Sequence, residues 1–451
     1  MTAKHDRWII VLLILLIVIG LTAVYSSTSV ISPDLIEKYK KKGIEISQFF
    51  YLKRQVFTLF LGVFALLAAY KMPAHIIKKL SIPLLIFSMV CLLLVFSPLG
   101  VSAGGARRWL RLWPSVFQPS EMVKLCMVIF LAWYLSCSSY NKDKFSSFII
   151  PVGVMGLFQI VFLKQPDFGA VMSLGMLTLF MLFLSGTRLR YIFSLGIIAV
   201  PVVIKLITEP YRWKRVVTFL DPWKDAQGSG FQLVQSFIAL GSGGAAGVGL
   251  GESRQKLAFL PEVHTDFIFS LIGEELGFAG AAVVVFLFLL LFLRGMRVAN
   301  RASDNFSYFL AFGISIMIAV QAIINFSVVT GMVPTKGLPL PFVSYGGSSL
   351  IINMTAIGLL LSVSRGQKLH LSETVIASAN EDVESVVAIS RMDEAKSRAR
   401  QQMAMTDAKS RKISSRKRHS WQYGPPSVRP RIIWKADASH TSRRNNIGDK
   451  K

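Results

Sequence analysis

Charge is scarce in this sequence. Only 17% of its 451 residues are Asp, Glu, Lys or Arg, against about a quarter in soluble domains. So little charge over such a length excludes a string of two or three soluble domains. Cysteine is scarcer: Cys91, Cys126 and Cys137 all fall in or beside apolar runs. They exclude a disulfide framework or a CxxC metal site, and read as small apolar helix residues. No Ala-x-Ala site follows the apolar run Trp8–Tyr25, which is long for a signal-peptide core and so reads as an uncleaved span. A GxxxxGK[ST] phosphate loop is also absent, which argues against nucleotide binding. Acidic residues are few, 25 against 50 basic, leaving a net charge of +25.

Apolar sequence is what the chain has in excess. AVILMFWYC residues make up 53% of it, and mean hydropathy is +0.52. A spanning helix needs about 20 mostly apolar residues, because hydrocarbon offers the backbone no outside partner. The candidate runs are 8–25, 54–70, 80–98, 119–137, 147–163, 167–186, 191–208, 266–293, 307–331 and 347–364. The expected fold is an all-α polytopic integral membrane protein of about ten transmembrane helices, with its membrane domain in residues 1–365. From Gly366 onward come 18 basic and nine acidic residues, with few aromatics. Such a composition buries no core, so 366–451 is expected to be a disordered cytoplasmic tail drawn to anionic membrane lipids, and nucleic acid is not expected as a partner.

Lys and Arg in short loops set the orientation. Segments 71–79, 138–146, 187–190 and 294–306 hold ten Lys or Arg against only Asp143 and Asp304. Both termini are therefore expected in the cytoplasm. Segment 26–53, with Lys38, Lys40, Lys41, Lys42 and Lys53, objects, and the other loops outvote it. The unusual clusters then gather on the opposite side: Gly104–Trp109, Gln118–Glu121, Lys164–Asp167, the large extracytoplasmic loop 209–265 between helices seven and eight, and Pro334–Gly337 running into Ser344–Ser349. Polar chemistry concentrated on one face points to an extracytoplasmic site.

Each cluster has a chemical and a plain reading. Asp266 is expected about one turn inside the eighth span; charge at that depth faces a wet cavity or a partner and can take a proton. It can equally be a helix-end carboxylate, with Glu262 and His264 as neighbours. Glu274 or Glu275 could return to its face two turns on, but reads better as a bundle tie. Glu121 and Lys124 are spaced for an intrahelical ion pair, at a depth that also suits a cavity. Arg107, Arg108 and Arg111 beside Trp109 and Trp113 form either an interfacial anchor or a lipid-phosphate site, for which the planar Arg fork is suited. The glycines of Gly241–Gly251 read as a phosphate nest or as a flexible re-entrant lid.

These motifs, in this order, resemble the SEDS family (FtsW, RodA, SpoVE). The resemblance rests on Gly105–Trp109, Gln118–Glu121 with Lys124, Gln165-Pro166-Asp167, Phe219–Pro222, Gly241–Gly251, Leu260–Phe269 and Ser344–Ser349. It covers almost all of residues 1–365; Phe231–Ser236 and Pro334–Gly337 look more like FtsW and SpoVE than RodA. Phe168, where Leu is commoner, and the tail 366–451 depart from the pattern. The resemblance implies a peptidoglycan glycosyltransferase that polymerises lipid II at the outer face of the inner membrane, at the division septum. It implies Asp266 as general base, with Arg107, Arg108, Trp109, Glu121, Lys124, Asp167, Lys336, Ser344 and Ser348 lining the substrate cavity. Glu262, His264 and Glu275 would support them. A divalent cation, Mg2+ or Mn2+, is an implied helper, and a class B penicillin-binding protein (a transpeptidase) and other division proteins are implied partners. The rival readings are a lipid II flippase and a non-catalytic division scaffold whose basic tail recruits partners.

Overall fold

The structure is a computed structural model that describes residues 6–28, 49–103, 106–112, 115–208, 210–253, 264–335 and 337–418. Apolar runs become helices where hydropathy places them: α1 (Arg7–Ser27), α2 (Phe50–Lys71), a short α3 (Ala74–Lys79), α4 (Ser81–Leu94), α5 (Pro119–Leu135), α6 (Phe145–Lys164), α7 (Phe168–Leu184) and α8 (Leu189–Ile207). Their starts are chemically marked. Asp6 and Asp167 accept from the backbone N–H groups of Trp8 and Ala170 as N-caps, and Pro119 opens α5 where no N–H is needed. Among the described residues six helices are long and apolar enough to cross a membrane, and shorter apolar stretches occupy Ser81–Leu94, Phe168–Leu184 and Leu189–Ile198. The protein is a predominantly helical, multi-pass membrane protein.

The long helices α13 (Asn305–Val329) and α14 (Gly347–Arg418), the latter over its first part, and the shorter α5, nearly all of whose residues are buried, form the centre. In α13 and the first part of α14 the most apolar window is 72% and 83% buried, against 22% for α2. The outer helices turn apolar side chains such as Phe60 and Phe64 outward, as lipid contact requires. α13 packs against α5, α7 and α12 (Gly277–Asn300).

Three regions differ from expectation. First, 266–293 is not one helix. α11 (Ile268–Glu275) ends at an elbow, and α12 restarts at Gly277, whose φ is +67°. The break falls where Glu274, Glu275 and Gly277 interrupt the apolar run, a local dip that a window of span length averages away.

Second, the described part of segment 209–265 carries helices: α9 (Pro210–Leu220), a 3-10 turn (Pro222–Asp225) and α10 (Phe231–Gly243). The glycines after α10 dock on the elbow by backbone pairing. Val248 and Gly249 donate to the carbonyls of Glu274 and Glu275 at 3.0 and 3.1 Å, and Phe278 donates to Gly244 at 2.9 Å. The N–H of Gly247 goes to Gly243 at 2.8 Å. With these donors engaged, 247–249 cannot act as a phosphate nest.

Third, the chain between α4 and α5 forms a small antiparallel sheet, β1 (Gly100–Ala103), β2 (Ala106–Leu112) and β3 (Ser115–Phe117), in the order β1-β2-β3. Period-two alternation explains it: Ala106 and Leu110 are buried, while Arg107 and Arg111 point to the exposed face.

The chain divides into two units, Met1–Glu373 and Thr374–Lys451. In the second, α14 runs on to Arg418, where no regular structure was expected. Its residues 391–411 are exposed throughout, so it buries no core there. Helix is favoured instead by Ala, Met, Gln, Lys and Arg, and by an i,i+4 pair between Arg398 and Glu394 at 3.6 Å.

A Cβ on Gly277 would lie 2.3 Å from the Gly247 nitrogen, and a side chain at positive φ costs about 1–3 kcal/mol. Gly277→Ala is therefore expected to lower the thermal midpoint of the detergent-purified protein by several degrees. An unchanged midpoint would show that the elbow is not held by this contact.

Candidate functional site

Asp266 lies in the turn that precedes α11, just ahead of its N-cap Phe267, and not inside a helix. It is half-buried. Its carboxylate faces the backbone of Gly337: a Cβ built there would stand 3.0 Å from Asp266 Oδ2. Both chain segments are held by one side chain. Asn325 Nδ2 donates to the backbone carbonyl of Asp266 at 2.9 Å and to that of Leu338 at 2.9 Å. Asn325 is almost fully buried, and carbonyls taken out of water in an apolar bundle need such a donor.

His264 forms a wall beside this turn. Its ring lies 4.8 Å from that of Tyr51 and 5.6 Å from that of Tyr345, and its carbonyl accepts from the Tyr345 N–H at 2.8 Å. Glu262 and Lys336 lie outside the described residues, as do Trp113 and the lysines 38–42.

Below the turn sits a buried ion pair. Lys124 Nζ lies 2.8 Å from Glu121 Oε1, with both side chains only 2% exposed. Gln321 Nε2 donates to the other oxygen, Glu121 Oε2, at 3.1 Å. The one-turn spacing thus makes the intrahelical pair expected of it. Such a pair offsets its desolvation only when its remaining lone pairs are bonded, and Gln321 does that. Gln321 and Asn325 are four residues apart on α13 and share a face. One helix face therefore joins the ion pair to the Asp266 turn. Neither amide was picked out by sequence reasoning, although two amides at i,i+4 within an apolar run were a readable signal.

The remaining candidates divide by role. Arg108, half-buried on β2, donates from Nη2 to the carbonyl of Pro166 and from Nε to that of Gln165 at 3.5 Å. It therefore clamps the turn that presents Asp167, while Arg107 is exposed on the opposite face and Trp109 is half-buried. Asp167 Oδ1 caps α7, accepting from Ala170 at 3.2 Å; its Oδ2 is buried with no partner among the described residues. Ser344 and Ser348 are ties. Ser344 Oγ accepts from Leu340 N–H at 2.8 Å; Ser348 Oγ accepts from Gln118 N–H at 2.9 Å and donates to the Val116 carbonyl at 3.3 Å. Glu274 and Glu275 are buried, where they accept from Ser253 and Ser26. Ser26 belongs to α1, so Glu275 joins two helices. Among the described residues, no three His, Cys, Asp or Glu side chains come together as a metal cage.

Removing one partner of a buried ion pair costs about 3–5 kcal/mol, whereas replacing both is often close to neutral. Lys124→Met is therefore expected to melt well below the wild type in detergent, and Glu121→Gln/Lys124→Met to recover most of the loss. A double variant no more stable than the single would show that the pair is not coupled as the geometry indicates.

Comparison with known proteins bears on the same region. The cell cycle protein family of FtsW, RodA and SpoVE matches residues 6–369. The "Probable peptidoglycan glycosyltransferase FtsW" of Geobacter sp. (strain M18) is 43% identical over 363 residues, 80% of this chain and 96% of that protein. Stage V sporulation protein E of Bacillus subtilis (strain 168) is 39% identical over 371 residues, 81% of this chain and 99% of that one. Among solved structures, a chain from work titled "Structural coordination of polymerization and crosslinking by a peptidoglycan synthase complex" matches with a TM-score of 0.66 and 27% identity, covering 81% of this chain and 98% of that chain. The rod shape determining protein RodA of Thermus thermophilus matches at 0.59 and 25%, with the same coverage. The tail beyond residue 369 falls outside the family match, and over the rest the chain belongs to the FtsW/RodA/SpoVE family.

Proposed function

We propose that this chain is a peptidoglycan glycosyltransferase that polymerises lipid II at the outer face of the cell membrane. The observation that carries the reading is where the buried polar groups lie. Glu121, Lys124, Gln321, Asn325, Asp167 and Gln55 are all buried towards the end of the bundle that holds Asp266. Deeper along α5, α7 and α13 the buried side chains are Met127, Leu131, Leu174, Met181, Leu310 and Ile314. The buried hydroxyls at that depth, Ser88, Thr178 and Ser315, donate to carbonyls of their own helices. A one-sided polar basin suits a reaction at one membrane face. A flippase needs polar groups along a path from side to side, which makes transport the weaker reading.

In the proposed reaction, the 4-hydroxyl of an acceptor GlcNAc attacks the anomeric carbon of a donor MurNAc. The new C–O bond forms as the bond to pyrophosphate breaks. The hydroxyl proton passes to the Asp266 carboxylate, and the electron pair leaves with undecaprenyl pyrophosphate. A half-buried carboxylate in a turn, on a segment tied to Tyr345 through the His264 carbonyl, can reach an entering hydroxyl. Arg107 on the exposed face of β2, with Arg108 and Lys336, would balance charge developing on the leaving group. A divalent cation, Mg2+ or Mn2+, would be carried with the pyrophosphate.

The names of the relatives support the glycosyltransferase reading and an FtsW-like part in cell division. On that reading the site faces away from the cytoplasm, both termini lie inside, and the protein works at the septum with other division proteins. The solved complex titled for polymerization and crosslinking supports a class B penicillin-binding protein as partner.

The test is polymerisation of lipid II in detergent by the purified protein, with its cognate transpeptidase added. Wild type should form glycan strands, and Asp266→Ala should lose at least about a hundredfold in rate. Equal polymer from both would remove Asp266 from the mechanism, and polymer from neither would favour transport.

A further inference from the structure

Resting on that reading, we infer that Asn325 is a positioning residue of the reaction, fixing the Asp266 turn against the Gly337–Leu340 segment that walls its carboxylate. Segment 337–340 is neither helix nor strand, and beside the backbone bonds from Val343 and Ser344 to the Leu340 carbonyl side-chain ties set its place. Leu338 O accepts from Asn325 Nδ2 at 2.9 Å, Leu340 N–H donates to Ser344 Oγ at 2.8 Å, and the Leu338 side chain packs against Gly169 of α7, where a Cβ would come within 2.9 Å. The Asp266 side of the same gap is held by the second hydrogen of the same amide, at 2.9 Å. Both donors of Asn325 are thus committed to the two backbone segments flanking the carboxylate, and its Oδ1 is buried without a partner among the described residues.

That arrangement commits both amide hydrogens to the backbone around the carboxylate while the amide oxygen goes unsatisfied, a geometry set by the two segments and not by the amide's own needs. It sets the spacing between Asp266 and Gly337, where a Cβ would stand 3.0 Å from Asp266 Oδ2. It also registers the turn against the ion pair, because Gln321, one helical turn away on α13, holds Glu121. A misplacement of about 1 Å at a reacting group can cost about a hundredfold in rate, so a rigid α13 is a suitable ruler for a base carried on a turn.

The test is a donor series in the full-length protein with its transpeptidase: Asn325→Ser keeps one donor, Asn325→Ala keeps none, and Asn325→Gln moves the amide outward. Ser315→Ala, on the same helix at apolar depth, is the control. Lipid II polymerisation should fall about tenfold in kcat for Ser and about a hundredfold for Ala, with Gln also impaired. KM should change less than about twofold, and the acid limb of the pH–rate profile should shift. The Ser315 variant should retain wild-type kinetics. Unchanged kcat in Asn325→Ala overturns the inference. So does a loss in every variant that merely follows the folded fraction, so that kcat per folded molecule is unchanged and the acid limb stays in place. A wild type with no dependence on Asp266 would instead overturn the functional reading itself, whereas an Asp266-dependent enzyme indifferent to the series overturns the positioning role alone.

Discussion

A bundle surrounded by hydrocarbon has no water with which to satisfy a polar group, and this constraint decides where chemistry can sit. Charged and amide side chains in the interior draw their partners chiefly from the chain itself. Glu121 does so through Lys124 and Gln321, and the carbonyls of Asp266 and Leu338 do so through Asn325. These bonds supply order as well as relief from desolvation. A turn that would otherwise wander is tied to α13, and α13 is among the most enclosed helices of the bundle.

The backbone supplies the second half of the platform. Positive-φ glycines let α11 and α12 meet at an elbow and let the segment after α10 lie against it, N–H to carbonyl. Two buried glutamates close this joint, Glu275 to Ser26 of α1 and Glu274 to Ser253. The Asp266 turn therefore begins a short helix whose far end is anchored by backbone and side chain alike. On the other flank, Arg108 clamps the carbonyls ahead of Asp167, and Ser348 ties the end of the sheet to the start of α14. A reaction site made of turns is held rigid from several sides, as catalysis by a positioned base requires.

How much of this could be read beforehand depends on the length scale of the signal. Hydropathy runs of about 20 residues placed the helices, and the spacing of Glu121 and Lys124 gave their pairing. A charge at the mouth of an apolar run drew attention to Asp266. Three features escaped. The elbow at Gly277 is marked only by the short Gly273–Gly277 dip, whose glutamates read as a bundle tie, and it turns on a positive φ that hydropathy does not report. The sheet over Gly100–Phe117 showed its period-two alternation in Arg107, Leu110 and Arg111, but the arginines beside tryptophan read as an anchor. Helix α10 was masked by the glycines that follow it. The roles of Ser344 and Arg108 depend on partners far along the chain, and no local pattern reveals those. Asn325 and Gln321 are the instructive omission: two amides one turn apart in an apolar helix announce a buried polar tie, whatever they turn out to hold.

The account stands on the Asp266 turn opening to the outer face of the membrane. With Cys91, Cys126 and Cys137 replaced by Ala, a single Asp266→Cys can be challenged in intact cells with a membrane-impermeant thiol reagent. The account predicts labelling from outside, blocked by prior treatment with a second impermeant reagent. Protection in intact cells, with labelling only once the cytoplasmic face is opened, would contradict it.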